Sequence, residues 1–177
     1  MTAAANTMHI FRREFRHYFV TPIAYIVIAI FLVLTGWFFF STFFLYSQAE
    51  LRNFYSLLPL IFSFIVPTVT MRLFSEEYNV GSYEVLVTMP VTDRDIILGK
   101  FFAALCFIAV MLLPTLSYAI SVSFLGDLDW GPVIGGYVGA LLLGAAFSAV
   151  GLFASALTKN QIIAFIIGMI ICFALTM

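Results

Sequence analysis

The chain has 177 residues, of which 63% are hydrophobic and 10% are charged, and its formal net charge is -1. A soluble domain carries roughly a quarter charged residues, so this composition excludes an ordinary soluble protein and indicates an integral membrane protein. The few basic residues form no stripe of the kind that binds nucleic acid, and the two cysteines lack the spacing of a disulfide framework or a metal site.

A basic amphipathic segment precedes the first long apolar run. Its apolar side chains recur at three- and four-residue spacing opposite a basic face, which predicts a helix lying in the membrane interface over residues 7–20. The apolar set is Met8, Phe11, Phe15, Tyr18 and Phe19, and the basic set is His9, Arg12, Arg13, Arg16 and His17. The alternative is a positively charged flank with no helix of its own. Thr21 and Pro22 then supply a cap and a first-turn proline for the first span.

Five apolar segments are candidates for membrane spans, which need about 20 residues as a helix. They are residues 23–46, 57–74, 101–125, 133–156 and 162–177. Lipid-exposed backbone must be helical, and no short alternating segments indicate a barrel, so the predicted fold is an all-α integral membrane protein. The fifth segment stops at Met177, about one turn short of a full crossing, so we expect the chain to be truncated at its C-terminus.

The basic residues predict the orientation, since cytoplasmic loops carry an excess of lysine and arginine. One side of the predicted spans holds Arg12, Arg13, Arg16, Arg72, Arg94, Lys100 and Lys159, and the other holds Arg52. We therefore expect the N-terminus and the loop at residues 75–100 to be cytoplasmic.

This loop places seven charged residues in or beside a short polar stretch between two apolar segments: Glu76, Glu77, Glu84, Asp93, Arg94, Asp95 and Lys100. The spans around it carry no acid or base with which to move ions, so the loop is the expected point at which energy enters the protein. Gly81 breaks the chain, Ser82 caps a short helix at Tyr83–Met89, and Pro90 ends that helix. A strand at the same place is disfavoured because its edges would be unpaired.

Two further local patterns concern helix ends and helix packing. Thr92 followed by Asp95 has the spacing of a capping box and predicts that the third span begins within the loop. In the fourth span, Gly135 and Gly139 form a Gly-x-x-x-Gly pair. A second row of small residues at spacing four contains Gly136, Ala140, Gly144 and Ser148. Both rows predict close helix packing, and neither specifies a particular dimer contact.

No catalytic motif is present. The pair Gly99-Lys100 is followed by Phe101 where a phosphate-binding loop has a hydroxyl, so we expect no ATPase site and no enzyme activity in this chain. The two histidines have no nucleophile or carboxylate partner nearby in the sequence. The lack of charged residues in the spans also disfavours an ion-coupled carrier.

Several runs resemble a known family. The signature loop of ABC-2 type permeases is similar to the runs Phe74-Ser75-Glu76-Glu77, Gly81-Ser82-Tyr83-Glu84-Val85-Leu86, Pro90-Val91-Thr92 and Ile96-Ile97-Leu98-Gly99-Lys100. Three further runs resemble the gliding-motility-associated branch of this family. They are Thr21-Pro22-Ile23-Ala24-Tyr25, Pro114-Thr115 and Gly151-Leu152-Phe153-Ala154-Ser155-Ala156-Leu157-Thr158-Lys159-Asn160-Gln161. The resemblance covers nearly the whole chain.

This resemblance implies a six-helix permease half in the bacterial cytoplasmic (inner) membrane, with a cytoplasmic N-terminus and lipid around its spans. It also implies a second permease half, as a homo- or heterodimer, and a cytosolic ABC ATPase that holds ATP and Mg, so this chain itself carries no cofactor. Its function would be to couple ATP hydrolysis by that subunit to substrate export. A membrane sensor or assembly scaffold that binds a cytosolic partner through the same loop is the alternative.

The resemblance also assigns the residues of the coupling site. Residues Glu77, Gly81, Glu84, Pro90 and Lys100 match the coupling loop of the family, whose short helix docks on the ATPase. Tyr83 and Leu86 supply the apolar face that this helix would place in a groove of the partner.

Overall fold

The computed structural model describes residues 3–46, 51–81, 92–125 and 129–177. These ranges are helical almost throughout and contain no strand, so the predicted all-α fold is confirmed. The helices are α1 (Ala3–Val20), α2 (Pro22–Tyr46), α3 (Arg52–Thr70), α4 (Arg72–Val80), α5 (Asp93–Leu112), a 3-10 turn (Leu113–Thr115), α6 (Leu116–Leu125), α7 (Trp130–Ala156) and α8 (Gln161–Thr176).

Four helical stretches within the described ranges are long and apolar enough to cross a membrane. They are Pro22–Ser41, Arg52–Val80, Asp93–Phe124 and Trp130–Ala156, while α8 is apolar but has 16 residues. The predicted segments fall on these helices, but the helices reach further than the apolar runs. α4 continues to Val80 and α5 begins at Asp93, so Glu76, Glu77 and Lys100 are helical residues.

The core lies among α2, α3, α5 and α7. Its completely buried side chains include Phe31, Phe62, Phe107, Ile108 and Met111. α3 is central, since it contacts α2, α7 and α8. Aromatic rings contact one another across helices. The ring centroids of Phe31 in α2 and Phe62 in α3, for example, are 6.0 Å apart. This bundle sets the position of the helix ends at which the charged residues lie.

The N-terminal segment is helical as predicted, and α1 packs along α5. The approach is close because Gly99 has no side chain: a Cβ there would lie 2.7 Å from Ile10 Cγ2 and 3.2 Å from the Thr7 carbonyl oxygen. The buried side of α1 contains Ile10 and Glu14, whereas Met8, from the predicted apolar face, is 62% exposed. Tyr18 and Phe19 of the predicted apolar set do face α5, since their ring centroids lie 4.9 Å and 6.0 Å from that of Phe107, whereas Ile10 and Glu14 are contacts that the spacing did not select.

Local signals set several helix ends. The predicted capping box is present: the Thr92 hydroxyl accepts a hydrogen bond from Asp95 N, and the Asp95 carboxylate accepts one from Thr92 N. Gly81 follows α4 with φ 78°, a left-handed conformation that glycine adopts without strain. Pro22 is the first residue of α2 as predicted, although the Thr21 hydroxyl donates back to the His17 carbonyl of α1.

Candidate functional site

Four charged side chains from three helices meet at one end of the bundle. Lys100 Nζ of α5 lies 2.9 Å from Glu77 Oε1 of α4 and 3.3 Å from Glu14 Oε1 of α1. Arg13 Nη2 contacts the same two oxygens, at 2.6 Å from Glu14 and 3.0 Å from Glu77. We refer to Arg13, Glu14, Glu77 and Lys100 as the charged cluster. Two cations face two carboxylates, so the cluster is neutral as a whole.

Lys100 is completely buried and yet fully satisfied. Besides its two carboxylate partners, its ammonium group donates to the Leu73 carbonyl oxygen at 2.6 Å. Three acceptors therefore match the three donors of an ammonium group. The Phe74 ring lies on the same side, with its centroid 5.1 Å from Nζ. A lysine without these partners would be very costly to bury, so its charge depends on α1 and α4 staying in place.

The carboxylate of Glu14 remains ionised within this cluster. Burial alone would raise the pKa of Glu14, but the charge of Lys100 and then that of Arg13 outweigh this, and the pKa lies below its ordinary value. The Arg13 side chain is 53% exposed, so the cluster is open to solvent on that side. The ion pairs of Lys100 are thus buried, whereas those of Arg13 are screened by solvent.

A second contact joins α7 to the junction between α3 and α4. The buried Ser155 hydroxyl of α7 accepts from Phe74 N at 3.0 Å and from Ser75 N at 3.1 Å, and it donates to the Met71 carbonyl at 2.8 Å. It therefore replaces part of the backbone ladder where the helix is interrupted. Close approach is possible because a Cβ at Gly151 would overlap the Thr70 hydroxyl. The start of α4 is consequently fixed against α7 as well as against Lys100.

The structure brings together some of the predicted coupling residues. Glu77 and Lys100 are in direct contact, and Gly81 lies one turn beyond Glu77, at the end of α4. The other predicted coupling residues, Tyr83, Glu84, Leu86 and Pro90, lie outside the described residues, as does the short helix predicted at Tyr83–Met89. The predicted coupling role stays a prediction.

The glycines predicted to pack α7 occupy two different faces. Gly144 and Ser148 are buried, and a Cβ at Gly144 would lie 3.0 Å from Ile108 Cγ2 of α5. Gly135 and Gly139 are exposed, and a Cβ at either would have no neighbour within 4 Å among the described residues. The row that includes Gly144 thus faces the interior of this chain, while the Gly-x-x-x-Gly pair faces outward.

Sequence reasoning missed Glu14 and Ser155. Glu14 is an acidic residue in a strongly basic segment. It lies four positions after Ile10 and four before Tyr18, and this spacing, which places it on their face of the helix, was the signal that could have identified it. Ser155 lies seven residues after Ser148, two turns along the face that α7 buries. Apart from the adjacent Arg13, their partners are 80 residues or more away, and no local pattern identifies those partners.

The chemistry of the cluster is that of a structural connection. Its carboxylates are neutralised by Arg13 and Lys100, and it contains no nucleophile beside a general base. In the ranges that the structure describes, no group of three histidine, cysteine or acidic residues is arranged to hold a metal ion. What the cluster does is tie α1, α4 and α5 together at the two helix ends that flank residues 82–91.

The family model of the ABC-2 family transporter protein matches residues 16–177. The chain belongs to this family of membrane transport components. The match includes Glu77, Lys100 and Ser155 and begins just after Arg13 and Glu14. The resemblance seen in the sequence is therefore confirmed at the level of the family, and the apolar helices agree with a multi-pass membrane protein. Neither a curated protein nor a solved structure matches the chain significantly.

Proposed function

We propose that this chain is the membrane-spanning permease subunit of an ABC transporter, in which a separate cytosolic ATPase hydrolyses ATP with Mg and drives substrate export. The observation that carries this proposal is the family match over residues 16–177. The helical bundle supports it, since four helical stretches in the described ranges are long and apolar enough to span a membrane. The ATPase supplies the chemistry, and this chain supplies the path through the bilayer.

Energy enters, in this proposal, through residues 82–91, which connect α4 to α5. The connection is anchored on both sides: Glu77 precedes its start by about one helical turn, Lys100 follows its end by about two, and the two side chains are 2.9 Å apart. A push on the connecting segment by the ATPase would move α4 and α5 together, and Glu14 would carry the movement to α1. Ser155 would pass it to α7.

The complex that we propose contains a second permease half, either another copy of this chain or a related one, in the bacterial cytoplasmic membrane. The excess of basic residues on one side of the spans supports a cytoplasmic N-terminus and a cytoplasmic position for residues 75–100. An impermeant thiol reagent should therefore label Lys159→Cys from the cytoplasmic side, and labelling from outside intact cells would contradict this orientation. A role in the gliding-motility-associated branch remains a prediction from the runs at residues 21–25 and 151–161.

Co-purification with an ATPase tests the proposed function. The full chain is tagged and expressed in its native host, and the proteins that purify with it from membranes are searched for an ATPase with a Walker A motif. We expect a stable complex with the native chain and loss of the ATPase with Leu86→Asp. The matched control Asn53→Asp adds the same charge at an exposed position at the opposite end of α3 and should retain the ATPase. An ATPase that never associates would contradict the permease assignment and favour a sensor or scaffold.

A further inference from the structure

A groove of about 560 Å³ lies between α1, the start of α2 and the α3–α4 junction. Its size falls in the range of small-molecule sites, which runs from roughly 300 to 1,000 Å³. One end is lined by the polar side chains Arg16, His17 and Arg72, and the other by Ile23, Val27 and Val69. The groove is therefore amphipathic along its length.

The polar end carries an uncompensated positive charge. The three glutamates on the wall of the groove are paired, since Glu76 contacts Arg72 at 3.0 Å and the other two belong to the charged cluster. Arg16 lines the same wall and is exposed, and it forms an ion pair with none of the described carboxylates. Arg72 is also partly open, with 28% of its side chain exposed. Arg16 and Arg72 both line the groove, so an anion within it has two guanidinium groups as possible partners.

The apolar end opens where the chain reaches its first candidate span. Val20 ends α1 and is 71% exposed, and Ile23, in the first turn of α2, is 38% exposed. Helix α2 begins at Pro22, so the groove runs from the level of the amphipathic helix to that of the first apolar turns. A ligand that fits both ends has a negatively charged head and an attached hydrocarbon chain.

We propose that this groove binds an anionic phospholipid from the surrounding leaflet, with its phosphate on Arg16 and Arg72 and the first part of an acyl chain along Val27 and Val69. Basic pockets between membrane helices on the cytoplasmic side bind acidic lipid head groups. The proposal rests on described residues of α1 to α4, so it does not depend on association with an ATPase. The lipid would fill the space between α1 and the bundle.

The test uses the full purified chain in detergent, incubated with mixed micelles that contain equal amounts of phosphatidylglycerol and phosphatidylcholine. After affinity capture and washing, the retained lipids are quantified by mass spectrometry. We expect the native chain to retain phosphatidylglycerol over phosphatidylcholine by about fivefold, the factor that one juxtamembrane arginine contributes. Arg16→Gln should reduce this ratio nearly to one, and Arg16→Lys should restore most of it because the charge is kept.

Arg12→Gln is the matched control, because it removes the same charge from an exposed position of α1 that does not line the groove. We expect this variant to keep the native ratio. An equal loss in Arg12→Gln and Arg16→Gln would overturn the proposal, since a general surface field would then explain the preference. Equal retention of both lipids by the native chain would also overturn it, as would complete displacement of the lipid by millimolar inorganic phosphate, which lacks the acyl chain.

Discussion

The Lys100 side chain is completely buried, and each of its donors has a partner. Its partners come from both neighbouring elements: Glu14 from α1, and Glu77 and the Leu73 carbonyl from α4. Removing one member of such a network leaves another charge buried without compensation, which usually costs more than the network contributes when it is intact. The position of α1 and α4 against α5 therefore depends on the few polar atoms of the charged cluster.

Lys100→Met should lower the free energy of unfolding by about 3–5 kcal/mol, because Glu14 and Glu77 would then share Arg13 alone. The double variant Lys100→Met with Glu77→Gln leaves Arg13 opposite Glu14 and restores neutrality. We expect it to recover at least about half of the loss, as coupled residues are not additive. Denaturant unfolding of the purified single and double variants measures the two free energies of unfolding. Equal stability of the single and double variants would show that the cluster is not a coupled unit.

The cluster should also make stability depend on pH. The pKa of Glu14 in the folded chain lies below its ordinary value of 4.5, so its contribution is fully present above that value and is lost as the pH falls through the folded pKa. Glu14→Gln should be less stable than the native chain at pH 7, and the difference should narrow below about pH 4.5.

Glu76→Gln is the control for this pH dependence, since Glu76 forms a partly exposed i,i+4 pair with Arg72, a kind of pair that contributes under about 1 kcal/mol. Unfolding midpoints measured from pH 7 downward compare the variants. A difference between Glu14→Gln and the native chain that stays constant over the whole range would contradict the assignment.

At the scale of the helices, the contact between α1 and α5 depends on Gly99. A Cβ at this position would lie 2.7 Å from Ile10 Cγ2 and 2.9 Å from Ile10 Cβ, close to backbone as well as side chain. The contact brings Glu14 within reach of Lys100, so the geometry of the two helices and the charged cluster depend on each other.

Gly99→Ala should therefore destabilise the chain by about 1–3 kcal/mol, the usual cost of overpacking, and make α1 more susceptible to limited proteolysis. Ile10→Ala in the same chain removes Cγ2 but keeps Cβ, so it should relieve part of the clash, and the double variant should be more stable than additivity predicts. Gly139→Ala is the matched control, because nothing described lies within 4 Å and alanine favours a helix by about 1 kcal/mol. Similar effects of Gly99→Ala and Gly139→Ala would contradict this account of the contact.

The helices themselves follow from local features that the sequence displays. The apolar runs, the capping box of Thr92 and Asp95, and the glycine at position 81 each act within a few residues, and each was predictable. The extension of α4 to Val80 was not predictable, because Glu76 and Glu77 have the character of loop residues in the sequence. Their ion-pair partners in α1, α4 and α5 are apparent only in the folded chain. The insertion of Ser155 at the α3–α4 junction depends on a contact across 80 residues or more.

For the whole molecule, the family was recognisable because the motif around residues 74–100 is compact in sequence, and the family match confirms it. The motif also identified Glu77 and Lys100 as important, although it did not indicate that they touch. Their contact with Glu14 required the folded chain, since loop closure over 86 residues leaves no local pattern. The helix at Tyr83–Met89 and its role in coupling stay predictions.

The central claim, that an ATPase drives this chain through residues 82–91, is tested most directly by ATP turnover of the assembled complex in lipid vesicles. Leu86→Asp and Glu84→Lys should reduce docking by roughly tenfold or more, because each removes a contact of about 1.5–3 kcal/mol. We expect coupled turnover to be lost in both variants, and to be unchanged in Asn53→Asp, while all three insert into the membrane. Turnover equal to that of the native complex in both loop variants would contradict the claim.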